Sequence, residues 1–291
     1  MGSCVPLTPP IAAVLCGGGA RGALEVGFYR ALADLGIRLD YIVGSSVGAL
    51  NGAAIAAGLT AAELIELWRS IDRQDIVGAN RSAWLRPWRC TGPYTLDPLR
   101  RLLRKVLPVS RFERLVIPLT IVTTDLATGR AAYWGHSGDL IEPLIASMSL
   151  PGLFPPVYLE GRPHVDGAIT NNLPVDRACE IGARTTVSML CTCCPPSTAA
   201  PRHALAVLKR AFTIALDRKS SDDLERYRSR GVRMHIVQPR FAIDVGLFDF
   251  RYTQELIAAG YRQALEHFAR SGAAMHPAES RTATSAVELH Q

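Results

Sequence analysis

The stretch Ile11-Ala12-Ala13-Val14-Leu15-Cys16-Gly17-Gly18-Gly19-Ala20-Arg21-Gly22 decides the fold. An uncharged apolar run leads directly into three glycines, which predicts a buried strand ending in a tight turn. From Arg21 to Leu35 the spacing becomes helical. Leu24, Phe28, Ala31, Leu32 and Leu35 fall on one side, and Gly36 ends the run. A second apolar run, Tyr41 to Val43, enters Gly44-Ser45-Ser46-Val47-Gly48, and a helix of small residues follows to about Ala57. This strand, helix, strand, helix order predicts an α/β fold with a mainly parallel sheet.

The rest of the chain extends that pattern. Thr60 to Ile71 reads as a helix capped by Thr60, with Glu63 in the capping-box position. Asp72 to Pro98 is irregular, and Leu99 to Leu107 is a basic amphipathic helix. Leu115 to Thr123 reads as a strand despite Pro118, with Ala131 to Trp134 as its partner. Ile141 to Met148 reads as a helix, and the prolines of Leu150 to Pro156 demand a constrained loop. Thr185 to Leu190 and Val232 to Val237 read as strands. Ala204 to Leu216, Asp222 to Arg230 and Gln254 to Ala269 read as helices. Residues 8–270 are expected to form a single domain, with a disordered polar tail over 271–291.

Composition narrows the class. The chain has 291 residues, 48% of them hydrophobic and 20% charged, which excludes a disordered chain. Net charge is +6, and only Lys105, Lys209 and Lys219 among the basic residues are lysines. Basicity of this size fits a surface that meets anionic lipid or nucleic acid, and equally a merely soluble one. The odd number of cysteines, seven, is no disulfide framework and suggests a reducing compartment. The Cys191-Thr192-Cys193-Cys194 run has no second cysteine or histidine pair to complete a zinc site, so no metal is expected. No basic region precedes the first apolar stretch, so no secretory leader is expected. Met1-Gly2-Ser3-Cys4 lacks the hydroxyl residue an acylation signal needs, because Pro6 stands in its place. Tyr41 to Leu59 is uncharged, but its glycines, serines and Asn51 fit a strand-turn-helix better than a membrane span. A soluble, cytoplasmic protein is expected.

Gly44-x-Ser46-x-Gly48 between strand and helix has a chemical logic. The turn strains the serine, and glycine two positions either side avoids collision with neighbouring backbone. The hydroxyl then stands at the strand end, facing the positive end of the next helix. A packing turn with an idle serine is the plain alternative. The Gly17-Gly18-Gly19-Ala20-Arg21-Gly22 loop matches the dinucleotide fingerprint G-x-G-x-x-G, but Asp40 precedes the second strand instead of following it. The loop's N–H groups also suit an oxyanion, with Arg21 adding positive potential. For a base, the histidines at 136, 164, 203, 235, 267, 276 and 290 lie in no evident motif. His164 stands two residues from Asp166, and on an extended segment the two would point the same way. Asp166-Gly167-Ala168, followed by Ile169-Thr170-Asn171-Asn172-Leu173-Pro174, reads as a polar site loop or an ordinary Asp-Gly turn. An aspartate base would need burial to raise its pKa.

Together these blocks resemble the patatin-like phospholipase family. The resemblance runs from about Ile11 to Pro239 and rests on Gly17–Gly22, Gly44–Gly48 and Asp166-Gly167-Ala168 in the family's order. Ala146 to Pro156 and Asn171-Asn172-Leu173-Pro174-Val175 also resemble the family's flanking segments. The resemblance implies a three-layer α/β/α fold and a catalytic pair of Ser46 as nucleophile and Asp166 as base. It implies an oxyanion hole from Gly17, Gly18, Gly19, Ala20, Arg21 and Gly22, and an elbow of Gly44, Ser45, Val47 and Gly48 about the serine. It implies hydrolysis of a lipid or other ester without metal or cofactor, and no nucleic-acid partner. The third block ends in Ala168, a variant familiar in the family. Trp84, Leu85, Pro87 and Trp88, interspersed with Arg81, Arg86 and Arg89, suit a surface for transient membrane contact, or a loop packing its tryptophans on the core.

Overall fold

The computed structural model describes residues 7–80, 91–191, 232–241, 243 and 245–271, with the isolated positions 207, 214, 218, 224, 225 and 227. The Trp84–Trp88 segment, Cys4, Cys90, Cys193, Cys194, the tail 272–291 and almost all of the two helices expected between 204 and 230 lie outside the described residues.

Strands β1 (Ile11–Leu15), β2 (Tyr41–Ser45), β5 (Leu119–Asp125), β6 (Arg130–Trp134), β7 (Val157–Leu159), β8 (Arg162–Asp166), β9 (Thr185–Met189) and β10 (Arg233–Val237) form one sheet in the order β10-β9-β1-β2-β5-β8-β7, with β6 also on β5. The pairs from β10 to β5 are parallel; β6, β7 and β8 add antiparallel partners. The two-residue strands β3 (Gly78–Ala79) and β4 (Tyr94–Thr95) pair by themselves. Helices α1 (Ala23–Asp34), α2 (Val47–Ala56), α3 (Ala61–Ser70), α4 (Arg73–Ile76), α5 (Asp97–Val106), α6 (Ile141–Ser147), α7 (Ala168–Asn171), α8 (Val175–Glu180) and α9 (Thr253–Ser271) connect or flank them.

Side-chain alternation along β1 divides the interior into two cores. Ile11, Ala13 and Leu15 face the large core shared with α1, α2, α3 and α9. Ala12, Val14 and Cys16 face the smaller one with Leu173, Val175 and Ala178. Period-two alternation with both faces covered is what a buried parallel strand requires, and it yields the three-layer α/β/α arrangement. The uncharged Tyr41–Leu59 stretch resolves into β2, a turn and α2. Among the described residues no helix is long and apolar enough to cross a membrane. The Thr60–Glu63 capping box forms in both directions.

Two expectations needed revision. Pro118 falls just before β5, so its missing N–H costs the ladder nothing. Asp166 does not sit in a loop but ends β8, whose hairpin with β7 turns at Glu160-Gly161, both at positive φ (49° and 77°). That pattern is the two-residue turn favoured by hairpins.

Helices α1 and α9 touch backbone to backbone. A Cβ on Gly27 would strike the Ile257 carbonyl, and one on Gly260 would strike the Leu24 carbonyl. Neither obstacle is a flexible side-chain tip, so the helices themselves must separate. Gly260→Ala is expected to cost about 3 kcal/mol and to lower Tm by roughly 6–12 °C. Thermal melting monitored by circular dichroism checks this; an unchanged Tm would show that the helices can shift freely.

Candidate active site

The site forms where two strand ends meet head-on. On β5, Val122 pairs with Ser45 at the end of β2, and the next residue, Thr123, pairs with Asp166 at the end of β8. Strand β6 occupies the other edge of β5 through Tyr133 and Ala132. Strands β2 and β8 therefore share one edge and run toward each other. Each chain must turn away at the meeting point, and Ser46 and Asp166 stand there face to face. The Ser46 hydroxyl donates to Asp166 Oδ2 at 2.8 Å.

Ser46 adopts φ 55°, ψ −128°, a region costly for a residue with a Cβ. The surrounding packing holds it there. A Cβ on Gly44 would lie 2.6 Å from the Ala49 Cα, and one on Gly48 would overlap the Leu15 carbonyl. The glycines two positions either side are thus steric necessities. The Ser46 N–H donates to Ser147 Oγ at 2.9 Å, and Ser147 Oγ donates on to the Val122 carbonyl at 2.6 Å. Ser147 was not singled out from the sequence. A lone hydroxyl on the otherwise apolar face of α6 was the available signal.

Asp166 is fully buried. Its Oδ1 accepts from the Ala168 N–H at 2.8 Å, its N–H donates to the Ser149 carbonyl, and its own carbonyl accepts from Thr124 Oγ1. Burial pushes its pKa up to about 7, although the bonds from Ala168 and Ser46 pull the other way. Gly167 lets the chain pass Val122 and Ser45, for a Cβ there would overlap the Val122 carbonyl and lie 2.9 Å from Ser45 Oγ.

The glycine loop lies over the same point. A Cβ on Gly17 would come within 3.0 Å of the Ser46 Cβ and 3.2 Å of the Ala168 Cβ. The loop's donors are unequally available. Gly17 N–H is taken by Asn172 Oδ1 at 2.9 Å, Ala20 N–H by the Leu247 carbonyl and Arg21 N–H by the Gly18 carbonyl. Among the described residues, no acceptor engages the N–H groups of Gly18 and Gly19. Arg21 folds its Nε back onto the Gly18 carbonyl at 3.2 Å. Gly22 ends the 3-10 turn and packs on Val47 and Trp68.

Other candidates lie apart from this cluster. His164 is buried, but its Nδ1 contacts Thr123 Oγ1 at 3.0 Å and its ring meets Trp134 edge-on. His235 and His267 pack against each other and Phe268. Among the described residues, no histidine hydrogen-bonds Ser46 or Asp166. Asp40, the acidic residue a dinucleotide site would need, instead accepts from the Ile11 N–H at 2.7 Å, at the opposite end of β1.

Beneath the loop lies a buried polar cluster that includes Glu25, a lone acid on the buried side of α1. Glu25 accepts from Cys16 N–H at 2.8 Å and from Asn51 Nδ2 at 2.9 Å, and Asn51 Oδ1 accepts from Trp68 Nε1 at 2.8 Å.

Comparison with known proteins agrees with this architecture. Over 181 residues the chain is 33% identical to patatin-like phospholipase domain-containing protein 7 of Rattus norvegicus, spanning 62% of this chain and 13% of that protein. It is 32% identical over 182 residues to an uncharacterised NTE family protein of Mycobacterium tuberculosis, spanning 62% of this chain and 49% of the relative. The matched segment thus spans no more than about half the length of these curated relatives. The crystal structure of VipD from Legionella pneumophila superposes with a TM-score of 0.51 at 14% identity, over 91% of this chain and 68% of VipD. Full-length ExoU of Pseudomonas aeruginosa, solved with SpcU, superposes with a TM-score of 0.53 at 16% identity, over 91% of this chain and 53% of that one. These two likenesses concern the fold. The patatin-like phospholipase family model matches residues 13–179, more than half of the chain. The chain belongs to the patatin-like phospholipase family.

Proposed function

We propose that this protein is a serine-dependent lipid acyl hydrolase, with Ser46 as nucleophile and Asp166 as its base. The observation that carries the reading is the 2.8 Å bond between a strained elbow serine and a fully buried aspartate. Ionised Asp166 takes the Ser46 proton as Oγ attacks the ester carbonyl. The developing oxyanion lies against the N–H groups of Gly18 and Gly19, at the N-terminal end of the 3-10 turn Gly19–Gly22. Collapse of the tetrahedral intermediate expels the alcohol or lysolipid with the proton that Asp166 carries. Water then enters, gives a proton to Asp166 and attacks the acyl-enzyme; as the fatty acid is released, Asp166 returns that proton to Ser46 Oγ and restores the resting pair. No step calls on a metal or a cofactor. Contact with a lipid surface accompanies this reading, because a water-insoluble ester has to be met where it lies.

A pKa near 7 suits both halves of the cycle. An aspartate at its ordinary value would be a poor base for a hydroxyl and a poor acid for an alkoxide, whereas one near neutrality serves both. Because the base must be ionised, activity is lost as pH falls below that value. With p-nitrophenyl butyrate, kcat/KM is expected to fall about tenfold per pH unit below the apparent pKa and to level off above it. A profile flat from pH 5 to 8 would show that the reaction needs no base titrating near 7. The substrate class is tested on a panel of phospholipids, lysophospholipids and acylglycerols. Free fatty acid, measured by mass, is expected from at least one of them and from none with Ser46→Ala as the blank.

A further inference from the structure

Two thiols lie directly under the glycine loop, and the proposed hydrolysis uses neither. Cys16 is the last residue before Gly17. Cys191 follows β9, the parallel neighbour of β1. Both are buried and free. The Cys191 N–H donates to Cys16 Sγ at 3.2 Å, and both sulfurs and a Glu25 carboxylate oxygen lie within 4.8 Å of one another. Gly18 rests on Cys191 so closely that a Cβ on Gly18 would overlap the Cys191 Cβ. We propose that Cys16 and Cys191 are a redox-active thiol pair that closes to a disulfide on reaction with a hydroperoxide, displacing the glycine loop and switching hydrolysis off.

The surroundings divide the labour between the two sulfurs. The Cys191 thiol and N–H point at Cys16 and hold its thiol below the usual value, while the Cys16 sulfur beside it, burial and the Glu25 carboxylate push the Cys191 thiol up. Burial pushes the Glu25 carboxyl well up, which makes it a seat for the proton leaving Cys16. The Cys16 thiolate attacks one peroxide oxygen, the O–O bond breaks, and the Glu25 proton leaves with the other oxygen, as water from hydrogen peroxide or as an alcohol from an organic hydroperoxide. The resulting sulfenic acid on Cys16 is attacked by Cys191. The S–S bond forms, and hydroxide leaves with the Cys191 proton as water. One hydroperoxide is reduced by two electrons and the dithiol is oxidised by two. Such a pair needs a small oxidant, because neither sulfur is exposed.

Closure must move the loop. A disulfide brings the sulfurs to about 2.05 Å and the Cβ atoms to roughly 3.8 Å. Cys16 is joined covalently to Gly17, and Cys191 is the floor on which Gly18 lies. Displacing the Gly18 and Gly19 donors by about 1 Å is expected to cost on the order of a hundredfold in rate. A divalent metal fits this cluster less well. Both Glu25 oxygens already accept hydrogen bonds, and a structural zinc site wants four donors where three stand among the described residues.

The loss of activity rests on the acyl-hydrolase reading; the disulfide does not, so the two are read separately. Reduced full-length protein is treated with hydrogen peroxide, alkylated and mapped by tandem mass spectrometry, with ester hydrolysis followed in parallel. A Cys16–Cys191 linked peptide is expected, together with about a hundredfold loss of activity that dithiothreitol restores. Cys191→Ser is expected to keep the reduced activity within about threefold and to lose the peroxide sensitivity, since only the resolving sulfur is gone. Absence of the linked peptide, or linkage of Cys16 to Cys193 or Cys194 instead, overturns the pairing. Equal peroxide inactivation of Cys191→Ser overturns the switch. Stoichiometric zinc binding that Cys191→Ser abolishes, without any linked peptide on oxidation, replaces it with a metal site. If reduced protein shows no hydrolysis but the linked peptide forms, the acyl-hydrolase reading and the switch fail while the thiol pair stands.

Discussion

Ser46→Ala is expected to reduce ester hydrolysis by about 10⁴-fold or more, the scale on which removal of a nucleophilic serine is felt. The variant should stay folded. Alanine keeps the Cβ that the positive-φ turn already accommodates, and the N–H bond to Ser147 Oγ survives. What disappears is the hydroxyl that donates to Asp166 and that the proposed mechanism acylates. Because that bond pulls the Asp166 pKa down, its loss is expected to raise the value further. The measurement is turnover of a chromogenic ester with a thermal melt on the same preparation. A folded Ser46→Ala protein that keeps more than a hundredth of the activity is incompatible with Ser46 as nucleophile.

Asp166→Asn separates the base from the geometry. The Asn Oδ1 retains the Ala168 N–H bond, but an amide then faces Ser46 Oγ and has no place for its proton. Hydrolysis is expected to fall by about 10³–10⁴-fold, and the rising limb near pH 7 should vanish. Stability should move the other way. An acid whose folded pKa is raised binds its proton more tightly folded than unfolded. The native state therefore loses stability as pH climbs from the unfolded value through about 7. Above that pH the wild type carries a buried carboxylate whose two hydrogen bonds do not offset its burial, a charge that the amide lacks. At pH 8 the variant is expected to be more stable by on the order of 2 kcal/mol or more, and near pH 4 the difference should close. Chemical denaturation at the two pH values reads this directly. A variant that loses stability equally at both would mean that Asp166 is a structural residue.

The parts of this architecture legible in the sequence are those where backbone approaches backbone. Gly44, Gly48 and Gly19 are glycine because a Cβ would collide with backbone, and such needs leave a local mark. The β1–α1–β2–α2 order was equally plain, since both faces of a parallel strand must be apolar. Asp166 was harder. Strand β8 reads Arg162-Pro163-His164-Val165-Asp166, short and polar, and it exists because β5 offers it an edge. Only the Glu160-Gly161 turn hinted at a hairpin. The raised pKa was no more visible, because it arises from burial contributed by segments distant in the chain. The role of Cys191 under Gly18 was hidden for the same reason: its partner Cys16 lies 175 positions away.

The head-on meeting of β2 and β8 also has a bearing on when the protein comes alive. Ser46 and Asp166 are 120 positions apart, and each is aimed by its register on β5, which lies between them in the chain. A chain emerging from the ribosome completes the serine's strand and helix early. Its aspartate arrives only after the β7–β8 hairpin has docked. On the proposed mechanism, competence for hydrolysis is therefore a late event of assembly, gated by long-range strand pairing of the kind that forms slowly. On the proposed mechanism, a nascent or partly unfolded copy carries a serine without its base.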